Sequence, residues 1–259
     1  MSFRNKNILA VIPARGGSKG VIRKNLRHIH GKSLIAHAAE CVNQLNWIDA
    51  VILSSDDEEI CAHARNSNID VPFIRPEELS TDDAKSIDVW RHAWLTCEDY
   101  YKKKFDISVL LEPTSPMRTA QDITNAVTLL IEKQSLSVAT VSKTPGHYTP
   151  HKTLKISESG FIGPYLEGGI KYSIRQHIPD YYHRNGICYA TTREGLIEKY
   201  NLMEDKCIPL VIERPVVNTC VRSSRKRIQV RDRVTRLRSS LFFKSTQCSL
   251  PGQEHAKIQ

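Results

Sequence analysis

The sequence predicts an α/β protein, built on a mostly parallel sheet with helices on both faces. Three observations carry that prediction. Short apolar segments alternate with segments of helical periodicity from Ile8 to Thr191. The apolar segments are continuous rather than alternating, the pattern of strands covered on both sides. Finally, the polar clusters Arg15–Lys19, Ser54–Asp57 and Glu112–Arg118 each follow directly on a predicted strand. That is the sheet edge at which α/β proteins bind ligands.

Taken in order, Ile8–Ile12 is a short buried strand that runs into a loop with three glycines, an arginine and a lysine. A helix follows from about Ser33 to Leu45, with Leu34, Ile35, Ala38, Cys41, Val42 and Leu45 at helical spacing. Asp49–Ser54 reads as the second strand, Glu58–Asn66 as a helix, and Val71–Ile74 as a short extended piece bounded by prolines. Ser86–Lys103 is helical, and Ile107–Leu111 is the most strand-like run in the chain. Asp122–Lys133 forms a helix capped by Thr119 or Asp122. Ser137–Val141 and Gly186–Thr191 complete the predicted strands, and residues 143–185 break the alternation as an insertion expected to cover the site.

The loop after the first strand suits a phosphate. A strand running into a glycine-rich turn aims backbone N–H groups at one spot. Gly16, Gly17 and Gly20 are expected to supply positive φ and close approach. Arg15 and Lys19 add fixed charge. The spacing is neither G-x-x-x-x-G-K-[ST] nor G-x-G-x-x-G, which argues against a P-loop ATPase and a dinucleotide fold. A plain surface turn remains the competing reading of the loop taken alone.

Composition narrows the classes further. A chain of 259 residues fits one α/β domain with a full core. Seven cysteines without CxxC spacing read as free thiols of a reducing compartment, and ten histidines without zinc spacing as non-metal. There is no apolar run of membrane-spanning length and no signal-like N-terminus, so no membrane partner and a cytoplasmic location are expected. The net charge of +9 is unevenly placed: residues 1–221 carry 27 basic against 26 acidic side chains, and residues 222–259 carry 10 against 2. Nucleic-acid binding by the main domain has no electrostatic support.

Beyond the first loop the pattern continues through Lys24-Asn25, Gly31-Lys32, Ser54-Ser-Asp56, Arg75-Pro76 and Ser86-Ile-Asp-Val89. It ends with Leu111-Glu-Pro-Thr-Ser-Pro-Met-Arg118, Arg175-Gln176 and Asn185-Gly186. With Pro13-Ala-Arg-Gly-Gly-Ser-Lys-Gly20, these residues resemble the cytidylyltransferases that activate acidic nine-carbon sugars. Those are the CMP-sialic acid synthetases and their legionaminic and pseudaminic acid relatives. The resemblance runs in family order from residue 8 to about residue 215. It implies a Rossmann-like nucleotidyltransferase fold, a small lid and dimerisation insertion, a homodimer, CTP and an acidic sugar as substrates, and Mg²⁺ as cofactor.

The same resemblance assigns roles. Arg15 and Lys19 would be catalytic, holding the triphosphate with Ser18 and stabilising charge on the departing pyrophosphate. Lys24 and Asn25 would extend that cradle, and Ala14, Gly17, Ser86, Glu112, Pro113 and Thr114 would complete the nucleotide contacts. Arg118, Arg175, Gln176 and Asn185 would meet the acidic sugar, an arginine fork being the natural carboxylate partner. Glu112 closes a buried-looking strand, where a carboxylate must be paired or bound to metal. A metal ligand, a hydrogen bond to the nucleotide and a structural ion pair all remain open for it, and Asp56 poses the same question against a helix N-cap.

The pattern departs from the family after Asn218. Where the family continues with an acidic Asp-x-Asp run that binds Mg²⁺, this chain reads Thr219-Cys-Val-Arg-Ser-Ser-Arg-Lys-Arg. The division expected is therefore a nucleotidyltransferase domain over 1–218 and a basic tail over 219–259. The tail reads either as an altered terminus or as a basic helix with Val230, Val234, Leu237 and Leu241 on one face. With the acids missing, a degenerate nucleotide- or sugar-binding relative without turnover is the alternative to an active enzyme.

Overall fold

The computed structural model describes residues 3–18, 20–167, 178–203 and 206–216. Strand β1 (Ile8–Pro13) leads through a turn at Lys24–Leu26 and a small hairpin, β2 (His28–Ile29) and β3 (Lys32–Ser33), into α1 (Leu34–Val42). Then come β4 (Ala50–Ser54), α2 (Glu58–Arg65), a turn at Glu77–Leu79 and α3 (Ser86–Tyr101). These are followed by β5 (Ile107–Leu110), α4 (Ala120–Glu132) and β6 (Ser137–Lys143). A second hairpin, β7 (Leu154–Ile156) and β8 (Ile162–Pro164), precedes β9 (Tyr182–Thr192), a π-helical turn at Glu194–Glu198 and β10 (Cys207–Val211).

The main sheet has six strands in the order β10-β6-β9-β5-β1-β4. β4, β1 and β5 are mutually parallel, as are β6 and β10, and β9 runs antiparallel between β5 and β6. Parallel pairing needs long crossovers, and the helices supply them. β1 lies inside the sheet and shows why its sequence is an unbroken apolar run. Ile8, Ala10 and Ile12 pack on one face with Ile35, Ile60 and Ile123 from α1, α2 and α4. Leu9 and Val11 pack on the other with Trp90 and Trp94 of α3, Phe105 and Leu196. Ile8, Leu9, Ala10, Val11 and Ile12 are fully buried, and each of the four larger side chains stabilises the fold by roughly 1.5–3 kcal/mol.

Helix starts follow local chemistry. Ser33 Oγ accepts from Ala36 N at 3.0 Å and Asp57 Oδ1 from Ile60 N at 3.1 Å. Thr119 and Asp122 form a reciprocal capping box on α4. The helix boundaries fall close to those predicted. Val71–Ile74 forms no strand; the local pairing is a single bridge between Ile52 and Asp70. β10 is an element the sequence reading lacks, because Pro209 sits in its middle. As an edge strand it tolerates a residue without an N–H.

Candidate active site

A cleft of about 540 Å³ opens where β1, β4 and β5 end. Its walls are Arg15 and Ser18 of the first loop, Lys24 and Asn25, Arg75, Thr81, Asp82 and Ser86 before and at the start of α3, and Glu112 to Thr114 after β5. Segments far apart in sequence meet there because their strands are parallel neighbours.

The first loop is held from behind. Ala14 is buried and donates its N–H to the Ser54 carbonyl at 2.9 Å, carrying the β1–β4 pairing one residue beyond β1. Gly16 N donates to Asp56 Oδ1 at 3.0 Å, and Asn25 Nδ2 donates to the Arg15 carbonyl at 3.1 Å. Asp57 takes the N-cap of α2, so Asp56 is free of that task and holds the loop. Gly16 and Gly17 achieve the turn without positive φ. Glycine is needed at 16 for space: a Cβ there would lie 2.6 Å from Asp57 Oδ2 and 2.8 Å from Asp57 Cβ. Gly17 is exposed with open space above it.

Arg15 reaches across the cleft, its Nη2 2.5 Å from Asp82 Oδ1 and its Nη1 donating to the Thr81 carbonyl at 2.6 Å. Arg75 lies deeper. It is buried, and its guanidinium donates to Ser54 Oγ at 3.0 Å and to the Ser54 carbonyl. Burial pushes its pKa down to about 10, with Asp56 opposing and Arg15 adding to the fall. It still carries a positive charge at neutral pH, so Arg15, Lys24 and Arg75 make the cleft cationic.

Glu112 faces this cation set. Burial raises its pKa above the ordinary glutamate value, against the pull of Arg118, Lys24 and Arg184 and a hydrogen bond with Thr114. Among the described residues no three His, Cys, Asp or Glu side chains converge on a metal site. Glu112 and Asp82 are the carboxylates that line the cleft, and Asp82 is paired with Arg15. Mg²⁺ commonly takes one or two carboxylates and completes its shell from substrate phosphates and water. The donor set here fits a metal brought in by a nucleotide and touched by Glu112, and does not form a stand-alone site.

Arg118 and Asn185, read as sugar contacts, lie beneath the cleft rather than in it. Arg118 is buried and donates to the carbonyls of Glu112 at 2.7 Å, Gly186 at 3.2 Å and Ile187. Asn185 Nδ2 donates to Ser142 Oγ at 3.0 Å, its Oδ1 accepts from Ile187 N at 3.2 Å, and its carbonyl accepts from Ser115 Oγ at 3.0 Å. Together they bolt the Glu112–Arg118 loop to β9. Lys19, Arg175, Gln176 and the tail over 219–259 lie outside the described residues. The described residues between 143 and 185 do not line the cleft. Several line a second cavity of about 900 Å³ with Glu213 and Arg214, where His183 Nδ1 meets Thr144 Oγ1 at 3.1 Å.

Two charged cleft residues were given no site role by the sequence reading, although Arg75-Pro76 stands in its pattern. Arg75 had a signal, an arginine closing an apolar run before a proline. Asp82 had none.

A mostly parallel sheet with a cationic, glycine-bounded cleft at its carboxyl edge is the architecture of a nucleotide-binding α/β protein. The cytidylyltransferase family matches residues 9–211, and the chain belongs to that family. It is 30% identical over 210 residues to the CMP-N,N'-diacetyllegionaminic acid synthase of Legionella pneumophila, covering 79% of this chain and 86% of that protein. It is also 30% identical over 209 residues to a pseudaminic acid cytidylyltransferase of Campylobacter jejuni, covering 81% of this chain and 88% of the relative. Among solved structures, CMP:2-keto-3-deoxy-manno-octonic acid synthetase complexed with CTP shares the fold, with a TM-score of 0.58. The identity is 20%, covering 82% of this chain and 93% of the other. Among the described residues no helix is long and apolar enough to cross a membrane.

Proposed function

We propose that this chain transfers a cytidylyl group from CTP to the anomeric hydroxyl of an acidic nine-carbon sugar, releasing pyrophosphate. The observation that carries this is the cationic cleft where β1, β4 and β5 end, in a chain of the cytidylyltransferase family whose relatives act on such sugars. Arg15, Ser18 and Lys24 bind the triphosphate, with Lys19 extending that set, and Arg75 places a buried charge behind them. The sugar hydroxyl attacks the α-phosphorus in line, the bond from the α-phosphorus to the oxygen of the leaving pyrophosphate breaks, and the hydroxyl proton passes to water. The cations stabilise the charge that grows on pyrophosphate, and much of the rate comes from holding two polyanions in register. Mg²⁺, when bound with the nucleotide against Glu112, supplies further charge neutralisation. Arg118 and Asn185 position the Glu112–Arg118 loop.

Residues 1–218 would form this catalytic unit, working in the cytoplasm as a homodimer. The β7–β8 hairpin supports the dimer: Leu154, Ile156 and Ile162 share one exposed apolar face, and an isolated two-stranded hairpin is marginal without a partner surface. The test is pyrophosphate release with CTP, Mg²⁺ and a panel of sialic, legionaminic and pseudaminic acids. Turnover with one sugar is expected. Bound CTP with silence across the panel overturns the transferase reading.

A further inference from the structure

Arg15, the cation at the front of the cleft, already has an anion. Its Nη2 lies 2.5 Å from Asp82 Oδ1, and its Nη1 holds the neighbouring Thr81 carbonyl at 2.6 Å. Both side chains line the cleft, and both are about one-third exposed, 31% and 32%. Asp82 comes from the segment between the Glu77–Leu79 turn and α3, and it serves no helix cap: the residue at the α3 N-cap is Lys85, without a side-chain bond. The ion pair spans the mouth of the cleft and joins the first loop to the segment before α3. A carboxylate oxygen on a guanidinium takes the place a phosphate oxygen would need.

We propose that Asp82 is a positioning residue that competes with the nucleotide's β- and γ-phosphates for Arg15 and reclaims it as pyrophosphate departs. This rests on the reading of Arg15 as a phosphate ligand. A ligand that needs Arg15 binds more weakly by the fraction of time Asp82 holds it. For a partly exposed pair that factor is roughly 1.4- to fivefold. Asp82 thus lowers affinity for CTP and for pyrophosphate together, which shortens the stay of the product. A cytidine without phosphates has no use for Arg15 and is indifferent to Asp82.

The experiment is calorimetric titration of CTP, pyrophosphate and cytidine into the full chain and into Asp82→Asn, Arg15→Ala and the double variant. Asparagine keeps the shape of the side chain and removes its charge; Asp82→Ser replaces it if asparagine disturbs folding. The expected result is CTP and pyrophosphate bound more tightly by Asp82→Asn, by up to roughly fivefold, with cytidine unchanged. The gain should vanish in the Arg15→Ala background. A tighter complex is not what structural damage produces. Unchanged or weaker CTP and pyrophosphate binding in the Asp82 variants overturns the proposal while leaving Arg15 a phosphate ligand. Unchanged CTP binding in Arg15→Ala overturns the underlying reading instead.

Discussion

Asp122 grips Arg214 with both carboxylate oxygens, across 92 residues of chain. Arg214 Nη1 donates to Oδ1 at 2.8 Å, and Nη2 donates to Oδ2 and to the Met117 carbonyl at 3.2 Å. The same carboxylate accepts from Thr119 N at 2.8 Å in the α4 capping box. One buried acid thus ties the segment after β10 to the start of α4 and to the end of the loop that carries Glu112.

That grip sets an acid limit on stability. Burial alone would raise the Asp122 pKa, but Arg214 and the two Thr119 hydrogen bonds outweigh it and hold the carboxyl below the ordinary aspartate value. A depressed acid contributes stability above its unfolded pKa, and the contribution fades as pH falls through the folded value. Arg214→Ala should therefore cost roughly 1–2 kcal/mol from pH 5 to 8, held down by the partial exposure of Arg214. The difference from the parent should shrink below about pH 4. Urea melts at a series of pH values measure it, and a difference that does not depend on pH would remove Asp122 as its source.

Gly16→Ala should damage the first loop through Asp57. The new Cβ would meet both the carboxylate and the Cβ of Asp57 at 2.6 and 2.8 Å, and Asp57 cannot retreat without releasing the N-cap of α2. The expected cost is about 1–2 kcal/mol of stability, with CTP binding weakened at least tenfold as the loop leaves Asp56. Gly17→Ala meets nothing within 4 Å and should leave stability unchanged. Equal melting temperatures and equal CTP affinities for the two variants would show that the loop does not depend on this contact.

The order of strands and helices was legible because each buried strand is a continuous apolar run and three of the four α-helices among the described residues are capped by Ser33, Asp57 or Thr119. The cleft was legible for the same reason: Arg15, Ser54–Asp57 and Glu112–Arg118 all sit where parallel strands end. What the sequence could not show is which polar residue faces inward. Arg118 and Asn185 carry sugar-binding chemistry in their side chains, yet the backbone carbonyls of Glu112, Gly186 and Ile187 and the hydroxyl of Ser142 consume it. Asp82 is one acid in a polar stretch, Ser80-Thr-Asp-Asp-Ala84, and pairing across 67 residues leaves no periodic trace. β10 was hidden by Pro209, a residue that argues against a strand unless the strand is known to lie at an edge.

Metal binding should depend on nucleotide. With no cluster of three ligands among the described residues, Mn²⁺ alone should show no saturable binding by paramagnetic resonance. Mn²⁺ with CTP should bind, and Glu112→Gln should weaken that ternary complex roughly tenfold by removing a carboxylate that lines the cleft. Tight Mn²⁺ binding without CTP would place the metal on residues other than these.

Glu112 should also trade stability for function. Its pKa is raised, first by burial, with Arg118, Lys24, Arg184 and the Thr114 hydrogen bond only partly offsetting that cost. A carboxyl whose folded pKa exceeds its unfolded pKa contributes stability below the unfolded value and loses it as pH rises through the folded one. Once ionised, Glu112 is therefore a group that the fold carries at a cost, and glutamine, neutral throughout, avoids it. Glu112→Gln should raise the melting temperature at pH 7–8, where each 1 kcal/mol is worth ~2–4 °C for a chain of this size, and should match the parent near pH 4. At the same time kcat/KM should fall by roughly tenfold or more, since a group kept against its stability cost is expected to act on a ligand. Thermal scans across pH and pyrophosphate-release kinetics on the same preparations decide it. A variant less stable than the parent at pH 7–8 would make Glu112 a structural partner of Arg118 and Lys24.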